Sequence, residues 1–158
     1  MSGPREVDRA LLHSAGLEPD DDVLVLGAGD LAFDVHELVG DGWVYVVRAQ
    51  VDELEELLAE AHAGGRAGVA YLMGEAPVLP LPDNAVAAAV GRLAADEGAL
   101  EAAARELARV VQAGGRVALA EADARGGEVL GDALAAAGFT GVVSQAVAEE
   151  RVVAARLG

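Results

Sequence analysis

The segment Asp22-Val23-Leu24-Val25-Leu26-Gly27-Ala28-Gly29-Asp30-Leu31 constrains the fold more than any other stretch of the chain. Val23 to Leu26 is apolar throughout, as a strand covered on both faces must be. Gly27 and Gly29 follow as a turn, and Leu31 to Val39 has the spacing of a helix. A strand that enters a glycine turn and then a helix is where α/β folds hold nucleotide ligands, because a residue without a Cβ lets backbone approach the ligand. The glycine pattern stops one short, with Leu31 where a third glycine is expected.

The rest of the chain repeats this alternation. Pro4 to Ala15 reads as an amphipathic helix with Val7, Leu11 and Leu12 on one face, ended by Gly16. Further strands are expected at Trp43–Val47, Ala67–Met73, Ala85–Val90 and Arg116–Ala120. Helices are expected at Val51–His62, Ala99–Gln112 and Glu128–Ala137. Glu101, Arg105, Glu106 and Arg109 fall on the outer face of the second of these, with Glu101–Arg105 in the favourable order. Phe139–Ala146 and Arg151–Arg156 read as an antiparallel hairpin turning at Ala148-Glu149-Glu150. Strand–helix alternation implies a three-layer α/β fold, with a mostly parallel sheet, right-handed crossovers and helices on both faces. The short last connection requires one antiparallel strand.

The 158 residues suit one domain, residues 1–158, with residues 1–16 as its N-terminal helix. Hydrophobic residues make up 53% but aromatics only 3%, so the core is Ala, Val and Leu. Trp43, Tyr45 and Tyr71 are expected between sheet and helices, and Phe33 either there or over the glycine turn. The net charge is -16, and all 11 basic residues are Arg. That balance argues against nucleic acid and against anionic membrane surfaces. No apolar run approaches membrane-spanning length, and the N-terminus has no apolar signal core, so the expected location is the cytoplasm. With no cysteine, thiolate metal sites and Cys nucleophiles are excluded. His13, His36 and His62 lack metal spacing, so no metal is expected. Ser14 and Ser144 stand in no nucleophile elbow, and no catalytic residue is assigned.

Four segments in order resemble class I S-adenosylmethionine-dependent methyltransferases: Val23 to Gly29, Gly74 to Ala85, Glu106 to Val117 and Leu134 to Val142. The second is similar to that family's GDAxxLPFPDNSFD loop and the third to its ELxRVLxPGGRxx stretch. The fourth is similar to LLxxAGFxxV. The resemblance implies a Rossmann-like seven-stranded sheet with its last strand antiparallel, and S-adenosylmethionine as cofactor. It places Gly27, Ala28 and Gly29 against the cofactor's methionine and ribose, Glu75 on the adenine amino group and Ala76 beside the ring. Gly91, Arg92 and Leu93 occupy the lip where methyl donor and substrate meet, so Arg92 joins the cofactor set. Asp30 has two readings, a partner for the methionine amino group or a helix N-cap.

Three departures fall on this site. Val25 replaces an acid within the first strand, Leu31 replaces a glycine, and Arg48 follows the second strand where the family has an acid for both ribose hydroxyls. Arg has donors and no acceptor. Losing that contact is expected to cost about 2–3 kcal/mol or more. Asp52 and Glu53 can compensate or simply begin a helix. Arg48 can pair with Asp30 or Asp52, or meet a dinucleotide phosphate. Asp96 and Glu97 are weak candidates for a base near the lip, and no inserted lid is evident. Two functions follow. One is a non-catalytic methyltransferase-like protein that acts as an interaction or regulatory subunit, as a homodimer or with a protein partner. The other is an active, atypical methyltransferase that acts on a small molecule and completes its pocket by oligomerisation.

Overall fold

The computed structural model describes residues 3–26, 31–48, 55, 59, 69–73, 78–92, 97–121 and 124–158. In chain order the elements are α1 (Gly3–Ala15), β1 (Val23–Leu26), α2 (Leu31–Val39), β2 (Val44–Arg48), β3 (Val69–Met73), β4 (Val86–Arg92), α3 (Glu97–Val110), β5 (Val111–Glu121), α4 (Ala124–Ala136), β6 (Phe139–Val147) and β7 (Glu150–Leu157). Of the helix expected over 51–62, only Glu55 and Ala59 are among the described residues, and both are helical.

The strands form one seven-stranded sheet in the order β3-β2-β1-β4-β5-β7-β6. Pairing is parallel from β3 through β5. β7 inserts between β5 and β6 and runs antiparallel to both, as the short β6–β7 turn demands. The expected three-layer sheet with an antiparallel last strand is the observed fold.

Period-two alternation divides the apolar side chains between two cores. Val23 and Val25 of β1 face the layer of α1 and α2, where Val7, Leu11, Ala15, Val35 and Val39 join them. Leu24 and Leu26 face the opposite layer, where Leu107 of α3 and Leu130 and Leu134 of α4 meet Leu119 and Val153. α1 buries Val7, Leu11 and Ala15, four residues apart, while Leu12 is only partly buried. No helix among the described residues is long and apolar enough to cross a membrane.

Several boundaries differ from expectation, and glycine explains most of them. β4 continues through Gly91 and Arg92, so both are strand residues rather than a loop after it. α3 ends at Val110, and β5 begins at once because Val111 pairs with Val86. A register shift at Val86/Ala88 then absorbs the Gly114-Gly115 segment, with Gly114 at φ +81°. α4 starts four residues early, through Gly126 and Gly127, instead of being broken by them. Gly127 lies against the Arg151 side chain, where a Cβ would be 3.0 Å from its neighbour, so the glycine brings α4 close to β7.

Leu119 is fully buried in β5. Replacing it (Leu119→Ala) is expected to lower unfolding free energy by about 2–5 kcal/mol, read from urea denaturation midpoints at constant slope.

Candidate cofactor cleft

The sheet reverses direction of growth at β1: β2 and β3 add on one side, β4 and β5 on the other. In open α/β sheets such a reversal places a crevice at the carboxyl ends of the strands. Leu26, the last residue of β1, pairs with Val47 of β2 and with Gly91 of β4. Gly91 is buried at φ +129°, and a Cβ built there would overlap the Leu26 carbonyl. Only glycine satisfies both the dihedral and the approach. At this level β1 and β4 meet backbone to backbone.

Arg92 follows immediately. Its guanidinium forks onto Glu150, with Nε–Oε1 3.1 Å, Nη2–Oε1 3.0 Å and Nη2–Oε2 2.9 Å. Its Nη1 stands 4.0 Å from Asp8 Oδ1. Asp8 belongs to α1 and Glu150 opens β7, so Arg92 ties three elements together at the strand ends. The groups are partly exposed, which keeps each pair in the range of about 0–1 kcal/mol.

Of the residues that the sequence assigns to the cofactor, two have a described place. Arg48 ends β2, one step beyond the Val47–Leu26 pair, and Arg92 ends β4. They flank the end of β1 from opposite sides. Gly27, Ala28, Gly29, Asp30, Glu75 and Ala76 lie outside the described residues, as do Leu93, Asp52 and Glu53. Val25 and Leu31 are buried in the α1/α2 core, Leu31 among Ala32 and Val35. Leu31 is thus a core residue and does not fill the crevice.

A second polar cluster was not legible as such in the sequence. Glu106 of α3 accepts the Leu79 N–H at 2.6 Å and takes Arg109 through Nε at 2.6 Å and Nη2 at 2.9 Å. Arg109 also donates to Asp83 Oδ1 at 2.9 Å and to the Leu79 carbonyl at 3.1 Å. The Asn84 N–H donates to the Arg109 carbonyl at 2.9 Å. Glu106 and Arg109 therefore do not share the solvated outer face expected of them. They fold over the 79–84 loop, whose Leu79 and Leu81 are buried. The hydrogen bonds from Arg109, opposed by partial desolvation and aided by the Leu79 N–H, hold the Glu106 carboxyl below its ordinary range. Glu106 and Asp83 in turn push the Arg109 guanidinium further up. The only sequence signal was the i,i+3 spacing of Glu106 and Arg109.

Trp43 also departs from expectation. It is half exposed, before β2, and stacks on Tyr45 with ring centroids 6.4 Å apart. That position is the amino end of the strands, away from the crevice. No cluster of three metal-ligating side chains exists among the described residues.

With this geometry, the comparisons with known proteins are unambiguous at the family level. Residues 13–143 match the model of the ubiE/COQ5 methyltransferase family, and the chain belongs to that family. Its fold is similar to a SAM-dependent methyltransferase from Aquifex aeolicus, with TM-score 0.81 and 21% identity over 96% of this chain and 89% of that one. It is also similar to geranyl diphosphate methyltransferase in complex with SAM, with TM-score 0.77 and 15% identity over 96% and 84% of the two chains. A third likeness is to a structure of the Trm112 methyltransferase activator of Haloferax volcanii in complex with a methyltransferase-fold protein. There the TM-score is 0.77 and the identity 15%, over 99% and 92% of the chains. No curated protein matches the chain.

Two outcomes follow for the cleft and its clamp. Gly91→Ala is expected to lower stability by at least about 2 kcal/mol, because the new Cβ meets backbone in a left-handed conformation, measured by thermal and urea unfolding. Glu106 has a folded pKa below its unfolded value. Its contribution is therefore complete above the ordinary carboxylate value of 4.5 and is lost as pH falls through the folded value. Glu106→Gln is expected to be less stable than the wild type at neutral pH, with the gap narrowing below pH 4.5 in paired acid-unfolding curves.

Proposed function

We propose that this chain is a non-catalytic member of its methyltransferase family, with an eroded S-adenosylmethionine site, that acts as an interaction or regulatory subunit. The observation that carries this reading is the end of β2. Arg48 stands one residue past the Leu26–Val47 pair, beside the end of β1. The resemblance to S-adenosylmethionine-dependent methyltransferases implies that the cofactor's two ribose hydroxyls would lie at the end of β2. Both need acceptors, and a guanidinium supplies donors alone. It also adds a positive charge near a cationic sulfonium. Gly91 puts no side chain beside Leu26 at the strand ends, which suits a bound cofactor, but an arginine at position 48 does not suit the ribose hydroxyls. The association of a similar fold with the Trm112 activator in Haloferax volcanii supports a protein partner as a working mode for this architecture.

A second reading has its own observation. Gly91 places no side chain at the carboxyl ends of β1 and β4, and Leu31 packs in the core. That favours an active, atypical methyltransferase that acts on a small molecule, with Gly27, Ala28, Gly29, Asp30, Glu75, Ala76 and Arg92 around the cofactor. The sulfonium is intrinsically activated, so the protein's share of that chemistry is orientation and exclusion of water.

Isothermal titration with S-adenosylmethionine and S-adenosylhomocysteine, on the wild type and on Arg48→Asp, separates the two. The first reading expects no measurable heat from the wild type and binding gained in Arg48→Asp. Micromolar binding by the wild type supports the second reading and removes the first.

A further inference from the structure

The helices end in different electrostatic company. The carboxyl end of a helix carries partial negative charge, which cations stabilise and carboxylates oppose. α3 has Arg109 in its last turn. α1 ends before Gly16, where a Cβ would lie 3.4 Å from the Arg116 guanidinium. α2 ends among acids. Glu37 is in its last turn, with His36 as the basic residue there, and Asp41 lies two residues beyond Val39. Asp20 arrives from the loop before β1, and its N–H donates to the Val39 carbonyl at 2.7 Å. It holds φ +70° there, so its Cα is fixed beside the helix end. Asp20, Glu37 and Asp41 are all exposed. No Arg stands between Arg9 and Arg48, a stretch with eight Asp or Glu residues. α2 has little to set against this. It has nine residues, too few to hold as a helix in isolation. Among the described side chains, its hold on the core is Leu31, Ala32, Val35 and Val39.

We propose that α2 is an ionic-strength-sensitive element of the fold: repulsion at its carboxyl end loosens its docking on the sheet at low salt, and screening tightens it. The charges act on the helix end at about 20 mM salt, where the screening length is about 20 Å, and are largely screened at about 500 mM, where it is about 4 Å. α2 follows β1 in the chain, so the element that responds lies beside the strand whose end borders the crevice. The response does not depend on whether a cofactor binds there.

Amide hydrogen exchange of the full chain, read by NMR at Val35 to Val39, tests this at about pH 7.5, above the ordinary histidine range. Two doubly neutralised variants separate a local effect from one of net charge. Asp20→Asn/Asp41→Asn removes two charges at the end of α2. Glu128→Gln/Asp132→Asn removes two from α4, which packs on the opposite face of the sheet. All four positions are exposed, and Asn accepts the left-handed φ of Asp20, so both variants keep the fold. In the wild type, protection of α2 should rise about tenfold between about 20 and about 500 mM sodium chloride. Asp20→Asn/Asp41→Asn should raise the low-salt protection about fivefold and flatten its salt dependence. Glu128→Gln/Asp132→Asn should leave α2 within about twofold of the wild type at each salt concentration. The proposal is overturned if wild-type α2 protection does not change with salt, or if Asp20→Asn/Asp41→Asn keeps the wild-type salt dependence. It is equally overturned if the two variants change α2 alike, because the effect then belongs to net charge and not to the helix end.

Discussion

At the carboxyl ends of β1 and β4, the Leu26 carbonyl occupies the space that any side chain at Gly91 would need. That close approach fixes the centre of the sheet. β1 pairs with β2 on one side and β4 on the other, and the reversal of strand order between them creates the crevice. The apolar layers follow from the same pair of strands. Val23 and Val25 anchor the α1/α2 face, and Leu24 and Leu26 anchor the face covered by α3 and α4. With few aromatic residues to fill space, such cores depend on short distances between layers, which Gly127 and Gly131 in α4 permit.

Around this centre, polar groups hold the periphery. Glu106 and Arg109 pin the 79–84 loop to α3, and Arg92 joins β4 to α1 and β7 through Asp8 and Glu150. Two of the four segments that resemble methyltransferases, the proline-rich loop and the stretch beginning at Glu106, meet in the first of these clusters. The part of that likeness from Leu79 to Asn84 and from Glu106 to Arg109 is accounted for by packing between a loop and a helix. A chain can keep those motifs while its binding chemistry changes, which is why fold and family are secure grounds here and activity requires its own argument.

The sequence carried the fold well because its signals were strong: continuous apolar strands, amphipathic helices, and a short final connection that forces an antiparallel pair. It carried element ends poorly. The expected fourth strand stops before Gly91 and the expected last helix starts after Gly126–Gly127, yet each glycine lies inside an element. Periodicity cannot show that a neighbouring backbone requires the glycine. The salt-bridged cluster was missed for a related reason. Glu106 and Arg109 look like surface residues in helical projection, and only the folded loop supplies Leu79 and Asp83 to them. Leu31 stood out as a lost glycine, whereas in the structure it is an ordinary core residue. Arg48 remains a departure in the sequence, at the end of β2. Most of the remaining cofactor positions, Gly27 to Asp30 with Glu75 and Ala76, fall outside the described residues, so sequence remains the ground for them.

The central claim is that this fold stands on its own packing and that its crevice has lost the chemistry that recognises the cofactor's ribose. Differential scanning calorimetry of the wild type, with and without a large excess of S-adenosylhomocysteine, addresses both halves at once. A ligand that binds only the folded state raises the melting temperature in proportion to its occupancy. The account predicts a single cooperative transition without ligand and no shift on adding it. An upward shift of several degrees, or a non-cooperative transition until ligand is added, would contradict it.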